Sequence, residues 1–254
     1  MGGEEEQSPR GRGRRAGRPS APVLDRDRIA ETALALVTDE GQSRLTMKRL
    51  ADRLGVAVSA LYNHIRNKAD LLLLVEDAVM SGVDASALGA LTEADGAVGA
   101  VGAAAGLPDA LRHWARSYRE VFAAFPELVP LIATMPVSGA PATRRMYDTV
   151  ASGLMAAGVP RDRVVSVVIA FESFLYGSAM DANAPTEIFS SAPEETDAPV
   201  FQDVVSAFTV RVSDDSDGRG PANPYADDPF EWGLEALVAR AVALADPRSG
   251  TDVI

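Results

Sequence analysis

The stretch "GVAVSALYNHIRNKADLLLL", residues 55–74, begins as a helix and then contradicts the needs of a core. Leu61 and Ile65 fall on one helical face. Beside them stand Ser59, Tyr62, Asn63 and His64, polar and aromatic groups that a packed interior does not favour. A short helix with a polar, hydrogen-bonding side is followed at once by "RNK". Just before it, Thr46 can cap a helix over "TMKRLADRL", whose Leu50, Ala51 and Leu54 face inward, and Gly55 permits a tight turn. Two helices joined across "GVA" predict a helix-turn-helix, with Leu50, Leu54, Val56 and Leu61 packing the pair together. Such a unit presents the start of its second helix to a major groove.

The chemistry of the exposed side follows from that placement. Val58, Ser59, Ala60 and Asn63 are small or hydrogen-bonding and suit base edges. Thr46, Lys48, Tyr62, His64 and Lys68 suit phosphates. Lys68 also opens the next helix, where backbone N–H groups attract an anion. Asn67 caps that helix, with Asp70 three residues on, and it is expected to run to about Met80 or Val83. A preceding helix, residues 25–41, places Ile29, Ala33, Leu36 and Val37 on one stripe, from Asp25 as cap to Gly41 as stop. The alternative for Tyr62 and His64 is packing against this first helix.

Charge supports the division. The chain of 254 residues carries a net charge of −12. Residues 1–68 nevertheless hold 13 Lys+Arg against 9 Asp+Glu, while residues 69–254 hold 11 against 27. A basic front on an acidic body points to a polyanion met by the front alone. Five Arg lie within residues 10–18, among Gly and Pro, and predict a disordered Arg-rich arm over residues 1–22. Arg14, Arg15 and Arg18 either enter a minor groove, as flexible arms can, or form a solvated tail. There is no cysteine. Disulfides, thiolate metal sites and thiol catalysis are thereby excluded, in keeping with a reducing cytoplasm. No secretory signal is read at the N-terminus, and no segment is read as long and clean enough to span a membrane.

Beyond residue 80 the pattern stays helical. Helices are expected over residues 109–124, 127–134, 142–157, 161–181 and 229–245. Residues 200–210 read as a helix or a strand-like run. Residues 84–107, rich in Ala and Gly, read as a loop or linker. No alternation builds a sheet. The fold expected is all-α: a three-helix helix-turn-helix unit, residues 23–69, followed by a larger helical ligand-binding and dimerisation domain, residues 70–254.

"ALALVTDEG" and "LTMKRLADRLGVAVSALYNHIRNKADLL" closely resemble the DNA-binding domain of the TetR family of transcriptional repressors, above all in the run Leu61, Tyr62, His64 and Lys68. "FLYGSAMD" and "FEWGLEALV" resemble the dimerisation helices of its tetracycline-repressor branch. The resemblance implies a homodimer on a double-stranded DNA operator, released by a small-molecule effector. Its DNA contacts fall on Thr46, Met47, Lys48, Val58, Ser59, Ala60, Tyr62, Asn63, His64 and Lys68. Its pocket falls on Trp114 and Tyr118; Met135, Tyr147, Phe171 and Glu172 are further candidate ligand-binding residues, and no cofactor is expected. Trp114 and Tyr118, four apart, share a face that either stacks on a planar ligand or belongs to the core. Glu172 interrupts an apolar helix; it meets a polar or cationic ligand group, or else solvent or a partner chain. Gly177 and Ser178 are expected to allow close helix approach in the dimer. In that branch a ligand-domain His helps hold magnesium; here the matching position is apolar, near Ile132, with Asp181 near its acidic partner. The only histidines are His64 and His113. An enzyme is the rival class, and no catalytic constellation supports it. An architectural DNA-binding protein without an effector is the other alternative; the large aromatic helical domain speaks against it.

Overall fold

Asp25 opens the first helix, its carboxylate accepting the Arg28 N–H at 2.8 Å. In a computed structural model, residues 24–93, 96–189, 197–214 and 223–246 are described. Helix α1, Arg26–Glu40, buries Ile29, Ala33, Leu36 and Val37. A 3-10 turn, Gln42–Arg44, leads to α2, Met47–Leu54, which Thr46 caps through the Arg49 N–H. Gly55 ends α2 at φ 69°, a left-handed position that side-chain-bearing residues avoid. Helix α3 is Val58–Leu61 and α4 is Lys68–Met80. Leu45, Leu50, Leu61, Ile65 and Leu71 are fully buried and knit these elements into one core. Arg49 pairs with Glu40 and Arg53 with Asp39, tying α2 to α1.

The remaining helices are α5, Ser86–Ala90, α6, Gly96–Ala123, α7, Val129–Ile132, α8, Pro141–Ala156, α9, Arg161–Asp181, α10, Pro199–Asp214, and α11, Pro224–Ala245. No strand occurs among the described residues. Helix α6 is the central post and packs on α5, α8, α9 and α11. Three arginines on α6 meet three acids on α11 in antiparallel order. Arg112 bonds Glu235 through two 2.7 Å contacts, Arg116 bonds Glu231 at 3.0 and 2.6 Å, and Arg119 bonds Asp227 at 2.8 Å.

Several expectations need correction. Residues 84–107 are not a linker: they supply α5 and the first part of α6. Ala is the strongest helix former, and its run outweighs the interspersed Gly. Gly153 on α8 shows why small residues help this region pack, since the Leu88 backbone of α5 occupies the space a Cβ would need. Helix α11 begins at Pro224, not residue 229, because Asn223 caps it and Pro suits the first turn. Residues 200–210 are helical, within α10. One helix, α9, does have the length and mean hydropathy (1.4) of a membrane span. Its inner face, Val164, Val167, Val168, Phe171 and Leu175, is buried in this fold, and α9 packs on α6, α8 and α11.

Candidate DNA interface and effector site

The recognition segment is shorter than its sequence pattern predicts. Helix α3 stops at Leu61, and Tyr62, Asn63 and His64 form a turn closed by Asn63 N–H to Ala60 and His64 N–H to Leu61, at 3.3 and 2.9 Å. Tyr, Asn and His favour helices weakly, and the buried pair Leu61 and Ile65 fixes the turn from below. Arg26 donates to the His64 carbonyl at 2.6 Å, pinning the end of the segment to α1. Thr46, Lys48, Ser59, Tyr62, Asn63 and Lys68 are exposed, with Tyr62 at 53 %. Val58, Ala60 and His64 are half-buried, and Met47 leans on the core. Tyr62 therefore does not serve as packing for α1. Asn67 accepts the Asp70 N–H at 2.9 Å, and Asp70 reaches back to Arg66, one residue beyond the usual capping-box partner. That contact holds the Asp70 carboxyl below its ordinary range. Arg14, Arg15 and Arg18 lie outside the described residues.

Helix α4 carries the DNA-side segment into the second site. Asp77 accepts the Ala142 N–H at 2.7 Å and the Thr143 N–H at 3.0 Å, so a carboxylate on α4 caps α8. Next to it, Glu76 is 2 % exposed. Its Oε2 has no hydrogen-bond partner. Burial, reinforced by Asp77, pushes its carboxyl up to about 7.

Across from Glu76 lies an aromatic, hydroxyl-rich core. Trp114 and Tyr118 are fully buried on one face of α6, with ring centroids 5.9 Å apart and edge-on. Phe171 packs on Trp114 at 5.6 Å. Tyr118 stacks on Phe122 at 4.8 Å, and Tyr176 meets both rings edge-on. The Tyr118 hydroxyl lies 3.0 Å from Glu172 Oε1 and 2.8 Å from the Tyr176 hydroxyl, and the Tyr147 hydroxyl also donates to Glu172 Oε1. Glu172 is thus turned inward and bonded to tyrosines, not directed at solvent or a partner as one reading of the sequence allowed. Burial raises its carboxyl above the ordinary range, and the bonds from Tyr147 and Tyr118 partly offset this. Burial likewise lifts the phenols, Tyr176 to about 12.

The structure thus brings Trp114, Tyr118, Tyr147, Phe171 and Glu172 together. Met135 is half-buried in the turn after α7 and takes no part in these hydrogen bonds. Two members escaped the sequence reading, Glu76 and Tyr176. Glu76 had a legible signal, since it falls on the apolar stripe of Leu72, Val79 and Met80. An open groove of about 1030 Å³ lies on the far side of Phe171, lined also by Ala104, Val167, Ala170, Leu237 and Arg240.

Residues 29–75 match the model of the bacterial regulatory proteins of the tetR family, and residues 103–239 match that of the tetracyclin repressor-like C-terminal domain. The chain belongs to the TetR family. It is a DNA-binding transcriptional regulator of helix-turn-helix type. Among curated TetR-family relatives, the HTH-type transcriptional repressor DrrR1 of Streptomyces coeruleorubidus is 26 % identical over 247 residues, covering 94 % of this chain and 84 % of that one. Apo ActR of Streptomyces coelicolor superimposes with a TM-score of 0.62 at 25 % identity, covering 87 % of this chain and 96 % of the other. ActR in complex with actinorhodin gives 0.62 at 24 %, covering 90 % and 99 %. The two positions that the sequence resemblance sets against the tetracycline-repressor magnesium site are Ile132 and Asp181. Ile132 is apolar and buried, and Asp181 is exposed. His113 lies at the surface of α6, 2.7 Å from Asp84.

Proposed function

We propose that this TetR-family chain acts as a homodimer that holds a palindromic operator and releases it when a small aromatic or hydrophobic effector enters the core around Trp114, Tyr118, Tyr147, Phe171 and Glu172. DNA reading is assigned to residues 23–69, and effector binding and dimerisation to residues 70–254. Tyr62, His64 and Lys68, with Thr46, grip phosphates. Lys48 and Asn63 donate to base edges, Ser59 offers a hydroxyl, and Val58 and Ala60 offer apolar contact to thymine methyls. Arg14, Arg15 and Arg18, which precede this unit in the sequence, add positive charge available to the same polyanion.

The observation that carries the reading is the continuity of α4. It starts at Lys68, behind the recognition segment, and further along carries the buried Glu76 and, beside it, Asp77 on the α8 N-terminus. A guest that displaces Glu76 must move the helix on which the DNA head is mounted. By likeness, ActR's complex with actinorhodin supports a small-molecule effector for this chain too.

The dimer rests on a second observation. Helix α9 turns Val165, Ile169 and Met180 outward, with Ala170, Ser173 and Gly177 between them, and α11 presents Trp232 at 79 % exposure. Gly177 has open space at its Cβ position, which suits the close approach of a second subunit. An apolar stripe on two adjacent helices suits a two-fold four-helix interface. Ile169→Glu combined with Trp232→Glu is expected to give a folded monomer in light scattering; a persistent dimer would remove this interface.

Selection of DNA bound by the full chain from a random pool tests the whole reading. The expected product is a pseudo-palindrome with half-sites spaced by whole helical turns of about 10 base pairs. Enrichment of single, asymmetric sites would overturn it.

A further inference from the structure

We propose that the effector carries a cationic centre, and that Glu76 and Glu172 are its paired carboxylate acceptors. The proposal rests on the reading that the helical domain binds a small molecule. It adds the charge of that molecule.

Two acidic side chains stand in this core, one from α4 and one from α9. Among the described residues neither forms an ion pair with Lys, Arg or His. The arginines nearest in sequence on α6 are engaged elsewhere: Arg112, Arg116 and Arg119 all face α11. Glu172 satisfies itself with tyrosine hydroxyls, whereas Glu76, almost wholly buried, leaves Oε2 without any partner. An unpaired carboxylate in an apolar site is costly, and natural interiors rarely keep one. Both acids border α8: its Tyr147 hydroxyl bonds Glu172, and one turn earlier its first N–H groups bond Asp77, the neighbour of Glu76 on α4. Trp114 Nε1 is a further buried donor without an acceptor.

What would satisfy all of these groups is a positively charged, partly aromatic guest. Its cation neutralises the two acids. Its ring lies among Trp114, Tyr118 and Tyr176, whose faces attract positive charge. An acceptor atom on the guest meets the indole N–H. Among the described residues, the groups that interact electrostatically with Glu76 are Asp77 on its own helix, Tyr147 on α8 and Tyr176 on α9, and none of them can carry positive charge. A cation arriving there favours the ionised carboxylates, so protons leave the site as it binds.

The full-length protein without DNA is titrated at about pH 6, where Glu76 is mostly protonated, with 9-aminoacridine, a cation at that pH, and with acridone, its neutral planar counterpart, following Trp fluorescence and heat. The expected result is 9-aminoacridine binding at least about tenfold more tightly, with proton release seen as a dependence of the heat on the buffer's ionisation enthalpy. Glu172→Gln and Glu76→Gln are each expected to weaken 9-aminoacridine about tenfold more than they weaken acridone. If either variant fails to fold, the proton release of the wild-type protein still decides. Acridone binding as tightly as the cation, or cation binding without proton release, overturns the charge assignment and leaves the effector site standing. Binding of neither dye removes the aromatic effector site together with it.

Discussion

Glu76→Gln is expected to raise stability by less than about 1 kcal/mol near pH 5 and by about 3 kcal/mol near pH 8, in urea unfolding at fixed protein concentration. The folded protein holds this carboxyl up at about 7, through burial first and Asp77 second. In the unfolded chain it titrates in the ordinary carboxylate range. Below both values the group is neutral in both states and contributes nothing. As pH rises between them, the unfolded chain ionises first, and stability falls. Above the folded value the penalty is complete and constant. Gln resembles the protonated acid in size and polarity, so it matches the wild type in acid and escapes the penalty in base. A stability difference that does not change between pH 5 and 8 would show that Glu76 is not buried as described. The expected gain also means that the native residue is retained at a cost to stability, as binding groups often are.

Tyr62→Ala combined with Lys68→Ala is expected to weaken operator binding by at least about 100-fold while the melting temperature stays within a few degrees. Both side chains are exposed, so their removal leaves no cavity. Hydrogen bonds to a charged phosphate contribute about 1.5–3 kcal/mol each, and a dimer loses every contact twice. The salt dependence separates the two residues. Removing one Lys per subunit lowers the slope of log affinity against log salt by about two units per dimer, whereas removing Tyr62 alone leaves it unaltered. Unchanged affinity in the folded double variant would mean that this face does not meet DNA.

The sequence made the helix-turn-helix legible because each of its parts has a local cause: Thr46 and Asn67 as caps, Gly55 as the left-handed stop, Leu50, Leu54, Leu61 and Ile65 as inward faces. The bounds of α9 were equally plain, since Pro160 precedes a long, mainly apolar run. The N-terminal half of α6 was not, because Ala and Gly carry no periodic contrast by which a face can be seen. The end of α3 was misjudged for a different reason: Tyr62, Asn63 and His64 continue the spacing but prefer a turn. The aromatic, hydroxyl-rich core was only partly visible. Trp114 and Tyr118 announce themselves on one helix, but the association of Glu76 and Tyr176 with them depends on how α4, α6, α8 and α9 cross, which no single helix encodes.

The arginine–acid ladder between α6 and α11 bears on how such a regulator would switch. Three pairs along facing helices act as rungs, and Arg119 also lies 4.5 Å over the Phe230 ring. Braced in this way, the post and the outer helix form a girder that yields little when a guest wedges into the aromatic core. Between α4 and α8, among the described residues, the polar fastening is a single carboxylate, Asp77. A guest in the core would then meet least polar resistance on the α4 side, toward the DNA head, and the face offered to a second subunit would be spared.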